Sequence, residues 1–152
     1  NNRMFTKEER STFPYWFAHW CAFQMTALNL RCWKPRFLLH DWYKPWLRLF
    51  LPYSVVQKIH KQNSKHHLEW FDKHGYTLEN IYRFDWDSLI IDWECSRFTK
   101  EASQINAYRK WEKVVDGLNP NNRNESLLRE ALVVIVYKKL KKLGLEEEKG
   151  SL

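Results

Sequence analysis

The sequence predicts an all-α, single-domain helical bundle, and three observations carry that prediction. Only four of the 152 residues are glycine, so turns are few. Apolar positions recur at three- and four-residue spacing over long uninterrupted stretches, which favours helices over a turn-rich β sandwich. The chain is 44% hydrophobic and 16% aromatic, enough at this length to bury one core.

Residues 1–12 form a polar start, and a first helix is predicted over 14–30, with Pro14 in the first turn where a missing N–H does no harm. Trp16, Trp20, Phe23 and Ala27 make its buried stripe, and His19, Phe23 and Thr26 share a neighbouring face. A second apolar run, 36–51, is interrupted by Pro45. The proline discourages a helix through Lys44, so the sequence HDWY at 40–43 is expected to close one helix before another begins.

A third helical stretch, 55–74, breaks near Asn63 and Ser64 and stops at Gly75. Asp85 or Asp87 then caps a fourth helix over 88–115, with core contacts from Leu89, Ile90, Trp93, Ile105, Tyr108 and Trp111. Asp92, Ser96 and Thr99 follow one another up one face of it. A turn-rich loop at 117–126 leads to a last helix over 127–143, where Leu128, Leu132, Ile135 and the stem of Lys139 cover the core. The bundle is thus expected to span 13–143, with a flexible tail at 144–152.

The net charge of +7 and the pI near 9.3 favour anionic partners: phosphates, nucleic acid or an acidic surface. Lys138, Lys139, Lys141 and Lys142 are read as a solvated face near a helix C-terminus, where cations suit the macrodipole. Cys21, Cys32 and Cys95 are odd in number and widely spaced without a CxxC pairing, which indicates neither a disulfide framework nor a zinc ribbon and fits a reducing, cytoplasmic setting. Residues 11–30 carry no charge, but Pro14, His19, Gln24, Thr26 and Asn29 mark a core helix, not a membrane span or signal peptide.

Against this apolar background His19, His40, Asp41, His60, His66, His67 and Asp92 stand out. Buried imidazole and carboxylate groups are costly unless paired or coordinated, so several of them converging from separate helices need a shared partner. A divalent metal ion is that partner, since neutral imidazole and carboxylate are its usual nitrogen and oxygen ligands. His66 and His67 cannot both reach one ion from a regular helix, so one ligates and the other supports it or meets a substrate. His74 is placed on the surface.

The order His19, then His40 with Asp41, then Asp92 resembles the HD superfamily of helical metal-dependent phosphohydrolases. HDWYK at 40–44 is similar to the HDxGK form of its cyclic-dinucleotide phosphodiesterases, with Tyr43 at the glycine position. SKHHLEW resembles their HHE segment through His66, His67 and Glu69. A closer resemblance, over residues 18–111, is to a bacterial and phage family, domain of unknown function 5662. That family's pattern has a leading His, HDxxK, HxxNxxHHxE and an acidic-apolar run ending in DW with a later Thr. His19, HDWYK, HKQNSKHHLE at 60–69 and DSLIIDWECSRFT at 87–99 follow it.

The resemblance implies an HD-like bundle holding one or two ions. His19, His40, Asp41 and Asp92 are the expected primary ligands, with His60 and His66 or His67 completing a second position. Such a ligand set suits Mn²⁺, Fe²⁺, Co²⁺ or Zn²⁺, and the expected reaction is hydrolysis of a phosphoester or nucleotide by metal-activated water. Asp41, Lys44 and Glu69 are the expected catalytic residues, Lys44 meeting a phosphate and Glu69 acting as base or orienting an imidazole. Lys44, Lys65, Arg97 and Thr99 are the expected substrate contacts. Two other readings stay open: a nucleic-acid-binding module using Trp33, Lys34, Arg36, Trp46 and Arg48, and a metal-stabilised structural protein without turnover. An apolar face also leaves room for a homodimer.

Overall fold

Thr12 starts the first long helix by accepting a hydrogen bond from the Tyr15 N–H through its hydroxyl, 3.3 Å away, with Pro14 in the first turn. Helix α1 (Phe13–Asn29) buries Tyr15, His19, Phe23, Gln24, Thr26 and Ala27. It ends in a Schellman motif: Arg31 adopts φ +57°, the Cys32 N–H bonds the Ala27 carbonyl and the Arg31 N–H bonds that of Leu28. Trp16 and Trp20, expected in the buried stripe, are only half-buried. Their indoles donate to the carbonyls of Asp41 and Leu38, at 2.8 and 3.0 Å.

The computed structural model describes residues 4–101 and 105–145, so most of the expected flexible tail lies outside the described residues. Among them the chain is an all-helical, single-domain bundle without strands; an isolated parallel bridge joins Phe5 and Lys100. Among the described residues no helix is long and apolar enough to cross a membrane.

After α1 the run containing HDWYKP departs from expectation. A 3-10 helix (Pro35–Leu39) leads through a turn at 40–43 into the short α2 (Lys44–Arg48). Pro45 does not keep Lys44 out of a helix: Lys44 is its first residue and Pro45 its second, where proline's missing N–H has no partner to lose. Helix α3 (Tyr53–Asn63) breaks at Ser64 as predicted, and α4 (Trp70–His74) ends at Gly75, whose φ of +108° suits a residue without Cβ. A short α5 (Leu78–Arg83), capped by Thr77, was not foreseen.

The predicted helix over 88–115 is two helices, α6 (Trp86–Ser96) and α7 (Ala107–Gly117). The buried Glu94 carboxylate accepts the Ala107 N–H at 2.8 Å, supplying from α6 a partner for the first turn of α7. Thr99 turns away to hold the Phe5 N–H on its carbonyl. The last helix runs as α8 (Arg123–Ala131), a π-helical turn (Leu132–Val136) and α9 (Tyr137–Lys142). The wider turn keeps Leu128, Leu132, Val136 and Leu140 buried at four-residue steps, and leaves the expected Ile135 half-buried.

The main core gathers Trp70, Phe71, Phe84, Trp86, Leu89, Ile90, Leu128, Leu132, Val136 and Leu140 from α4 to α9. A fully buried side chain such as Ile90 contributes about 1.5–3 kcal/mol. A smaller core packs Phe23 and Ala27 of α1 on Phe37, Ile91 and Cys95, so α1 lies on α6. That pairing brings His19 to Asp92.

Candidate metal centre

Each polar candidate reaches one buried region from its own element. His19 comes from the middle of α1, Asp92 from the middle of α6 and His60 from the end of α3. His40 and Asp41 come from the turn before α2, and His66 and His67 from the link between α3 and α4. Because that link is not helical, both of these histidines face the cluster. Asp41 adopts φ +52°, a left-handed conformation that aspartate tolerates better than most residues at a cost of order 1–2 kcal/mol. The Trp16 indole and the Lys44 N–H both donate to its carbonyl, at 2.8 and 3.2 Å, and hold the turn.

The side chains form two groups joined by Asp41. In the first, His19 Nε2 is 2.9 Å from Asp92 Oδ1 and 3.4 Å from His40 Nε2, which lies 3.6 Å from Asp92 Oδ1 and 3.3 Å from Asp41 Oδ2. In the second, Asp41 Oδ1 is 3.1 Å from His60 Nε2 and 3.3 Å from His66 Nε2, while His60 Nε2 and His67 Nε2 are 2.9 Å apart. Donors around a four-coordinate ion with bonds near 2.1 Å stand about 3.4 Å from one another. The observed separations bracket that value.

One observation fits an ion better than a hydrogen-bond network: Asp41 Oδ1 and His66 Nε2 are buried and make no hydrogen bond, although they face each other. His60 Nε2 and His67 Nε2, 2.9 Å apart, share a proton between the two rings in the metal-free protein. The described residues therefore supply histidine and aspartate clusters suited to holding metal.

Burial opposes charge on Asp41 and Asp92, but the facing imidazoles hold both carboxyls well below the usual range. Burial also lowers the pKa values of His40, of His60 to about 2 and of His67 to about 3, leaving neutral rings ready to ligate. At His66 burial is overcome by Asp41, and the pKa rises. An ion bound there must displace that proton. Calorimetric titration of metal near pH 6.5, in buffers of different ionisation enthalpy, is expected to show proton release that shrinks as pH rises. No release at pH 6.5 would contradict ligation by His66.

Three supporting residues were not foreseen. The Tyr43 hydroxyl is 2.5 Å from His60 Nδ1 and 2.8 Å from Ser64 Oγ, itself 3.0 Å from the same nitrogen. These contacts occupy Nδ1 and leave Nε2 facing Asp41. Tyr43→Phe is expected to weaken metal binding by about 10- to 100-fold in a chelator competition, while unchanged affinity would show that Tyr43 does not orient the ring. The Cys95 thiol lies 3.9 Å from His19 Nδ1 and donates to the Asp92 carbonyl at 3.4 Å. Burial raises its pKa well above that of a free thiol, so it backs His19 as a neutral group.

The other candidates are more scattered. Lys44 shares a cavity with His19, and burial lowers its pKa while Asp41 and Asp92 oppose the shift. Glu69 is exposed and shares a second cavity with His67 and Asp92. Lys65 lines a different groove, with Arg36 and Arg83; Arg97 is paired with Glu94 at 3.2 Å. Thr99 is buried, and its hydroxyl makes no hydrogen bond. His74 is exposed, as expected.

Of the residues considered for nucleic acid, Lys34 pairs with Asp87 at 2.9 Å, Arg36 pairs with Asp85, and the Trp33 indole donates to Gln24 at 2.7 Å. Trp46 and Arg48 remain exposed. No family model, curated protein or solved structure matches the chain.

Proposed function

We propose that the protein is a metal-dependent phosphohydrolase with an HD-like, two-ion centre bridged by Asp41. The observation that carries this reading is the Asp41 carboxylate, with Oδ2 3.3 Å from His40 and Oδ1 3.1 and 3.3 Å from His60 and His66. His19, His40, Asp41 and Asp92 would hold one ion, and Asp41, His60, His66 and His67 the other. Five imidazoles and two carboxylates suit Mn²⁺, Fe²⁺, Co²⁺ or Zn²⁺. The resemblance to domain of unknown function 5662 bears on the metal site and the helical fold, not on the reaction.

When bound, such ions supply Lewis acidity towards a phosphate oxygen and lower the pKa of water towards neutrality. The protein's own groups do the rest. Lys44 brings an ammonium beside the two carboxylates and attracts the phosphate as a point charge. Asp41 and Asp92 stay ionised, and the neutral imidazoles of His40, His60 and His67 leave lone pairs free. Hydrolysis forms a bond from water oxygen to phosphorus and breaks the ester P–O bond. One water proton is lost and the leaving alkoxide takes one up.

The test is turnover of p-nitrophenyl phosphate and bis(p-nitrophenyl) phosphate by protein reconstituted with each of the four ions. Native protein is expected to release nitrophenolate and Asp92→Ala to lose at least about 100-fold of the rate, a transition-state loss near 2.7 kcal/mol. Metal-loaded protein with no turnover of either ester would leave the structural reading in its place.

A further inference from the structure

Two cavities flank the centre, and their chemistry differs. One, of about 420 Å³, is lined by Lys61, Lys100 and Lys110 together with Glu69, Asp72 and Asp92. The other, of about 440 Å³, meets the centre at His19 and carries Arg10, Lys44 and Arg48 with no carboxylate in its lining. Both volumes lie in the range of small-molecule sites.

The cavity beside His19 is built for an anion with an apolar body. Arg10 has a buried Nε without a hydrogen-bond partner, and neither Arg10 nor Lys44 forms an ion pair among the described residues. The walls are Tyr15, Trp16, Tyr53 and Val56. Phe13, Trp42, Trp46 and Leu49 frame the mouth at 60, 54, 62 and 71% exposure, an apolar rim of the kind that marks binding grooves. Two of the hydroxyls in its lining are engaged within the chain: Ser11 and Thr12 donate to the carbonyls of Glu8 and Glu9, at 3.4 and 2.7 Å, which leaves the phenols of Tyr15 and Tyr53 as the polar tips of otherwise aromatic walls. The Trp16 N–H is taken by Asp41.

We infer that this cavity binds a monophosphate carried on an alkyl or aryl body, its phosphate at Arg10 and Lys44 beside His19 and its apolar part against Trp16, Trp42 and Trp46. Arg10 and Lys44 are the less exposed cations of the lining, Arg48 lies among the exposed residues at its rim, and the surface between them is aromatic and aliphatic, which matches an amphiphile. A polar nucleoside would set most of its donors and acceptors against aromatic and aliphatic walls there. The inference rests on the phosphohydrolase reading for its purpose, but binding does not require turnover.

Calorimetric titration of the native protein with dodecyl phosphate, below its micelle concentration, tests it. Dodecyl phosphate is expected to bind at least about tenfold more tightly than inorganic phosphate or adenosine monophosphate. Arg10→Gln and Trp46→Ala, each checked for an unchanged melting temperature, are expected to weaken binding at least about fivefold, a little under 1 kcal/mol. Lys110→Gln, in the opposite cavity, should leave it unaltered. Tighter binding of adenosine monophosphate, or loss in Lys110→Gln without loss in Arg10→Gln, would overturn the assignment. Vesicles separate the sources: sedimentation with phosphatidylcholine only when phosphatidic acid is included assigns a membrane lipid. Alkyl phosphate binding without sedimentation assigns a dissolved ester. Because the readout is heat, it stands or falls apart from the nitrophenyl ester assay.

Discussion

Asp41→Asn is expected to abolish metal binding at one position and, with only a neutral amide oxygen left, to weaken it at the other. The substitution keeps the side chain's size but replaces one of two ligating oxygens with an NH₂ group, which has no lone pair to offer. Oδ2 faces the His19 and His40 group and Oδ1 faces His60 and His66, so whichever way the amide is turned, one group receives a donor hydrogen. Affinity should fall by more than the roughly 10- to 100-fold expected for a supporting residue such as Tyr43. His67→Ala should affect only the second group, which it alone borders through His60. Chelator competition on the two variants separates these outcomes. Full metal retention in Asp41→Asn would remove the bridging role.

Metal removal should lower stability, and the metal-free protein should be sensitive to acid. An ion present at about 1,000 times its dissociation constant adds about 4 kcal/mol, and for a chain of this size each kcal/mol moves the melting temperature by about 2–4 °C. Chelation is therefore expected to lower it by about 8–16 °C. In the metal-free protein His60 and His67 have folded pKa values of about 2 and 3, against about 6.5 unfolded.

Between those limits the unfolded chain binds more protons, so stability is present above pH 6.5 and drains away as pH falls. Each ring contributes up to about 1.4 kcal/mol per pH unit within that window. His66 runs the other way: its contribution is complete below pH 6.5 and is lost as pH rises through its raised folded value. The lowered carboxyls of Asp41 and Asp92 add a further loss only below about pH 3.9. Melting curves of chelated protein from pH 4 to 8 should thus fall steeply on the acid side of 6.5. A flat profile between pH 5 and 6.5 would show that the rings are not held neutral.

Much of this centre was legible in the chain because its members are misfits locally. His19 and Asp92 sit on faces otherwise occupied by Tyr15, Phe23, Leu89 and Ile91, and helical periodicity alone exposes them. Gly75 and Ser64 punctuate the chain where backbone chemistry says they should. What could not be read depends on distant partners. The break between α6 and α7 is stabilised by Glu94 reaching Ala107 across thirteen positions. The π turn preserves a contact face that ideal periodicity would have rotated away.

At Asp41 the left-handed backbone is held by Trp16, twenty-five positions earlier. The same limit hid the division of labour between the two Asp41 oxygens, which only the convergence of α1, α3 and α6 creates. Lys65 and Arg97 show the converse. Their sequence neighbours, His66 and Ser96, face the interior, while they are turned to a separate groove and to Glu94.

The most direct test of the account is the metal content of the purified native chain after incubation with Mn²⁺, Fe²⁺, Co²⁺ or Zn²⁺ and removal of excess, measured by elemental analysis. The two groups sharing Asp41 predict about two ions per chain for at least one of these metals. A chain that retains no more than traces of all four would contradict the centre, and with it the proposed hydrolysis.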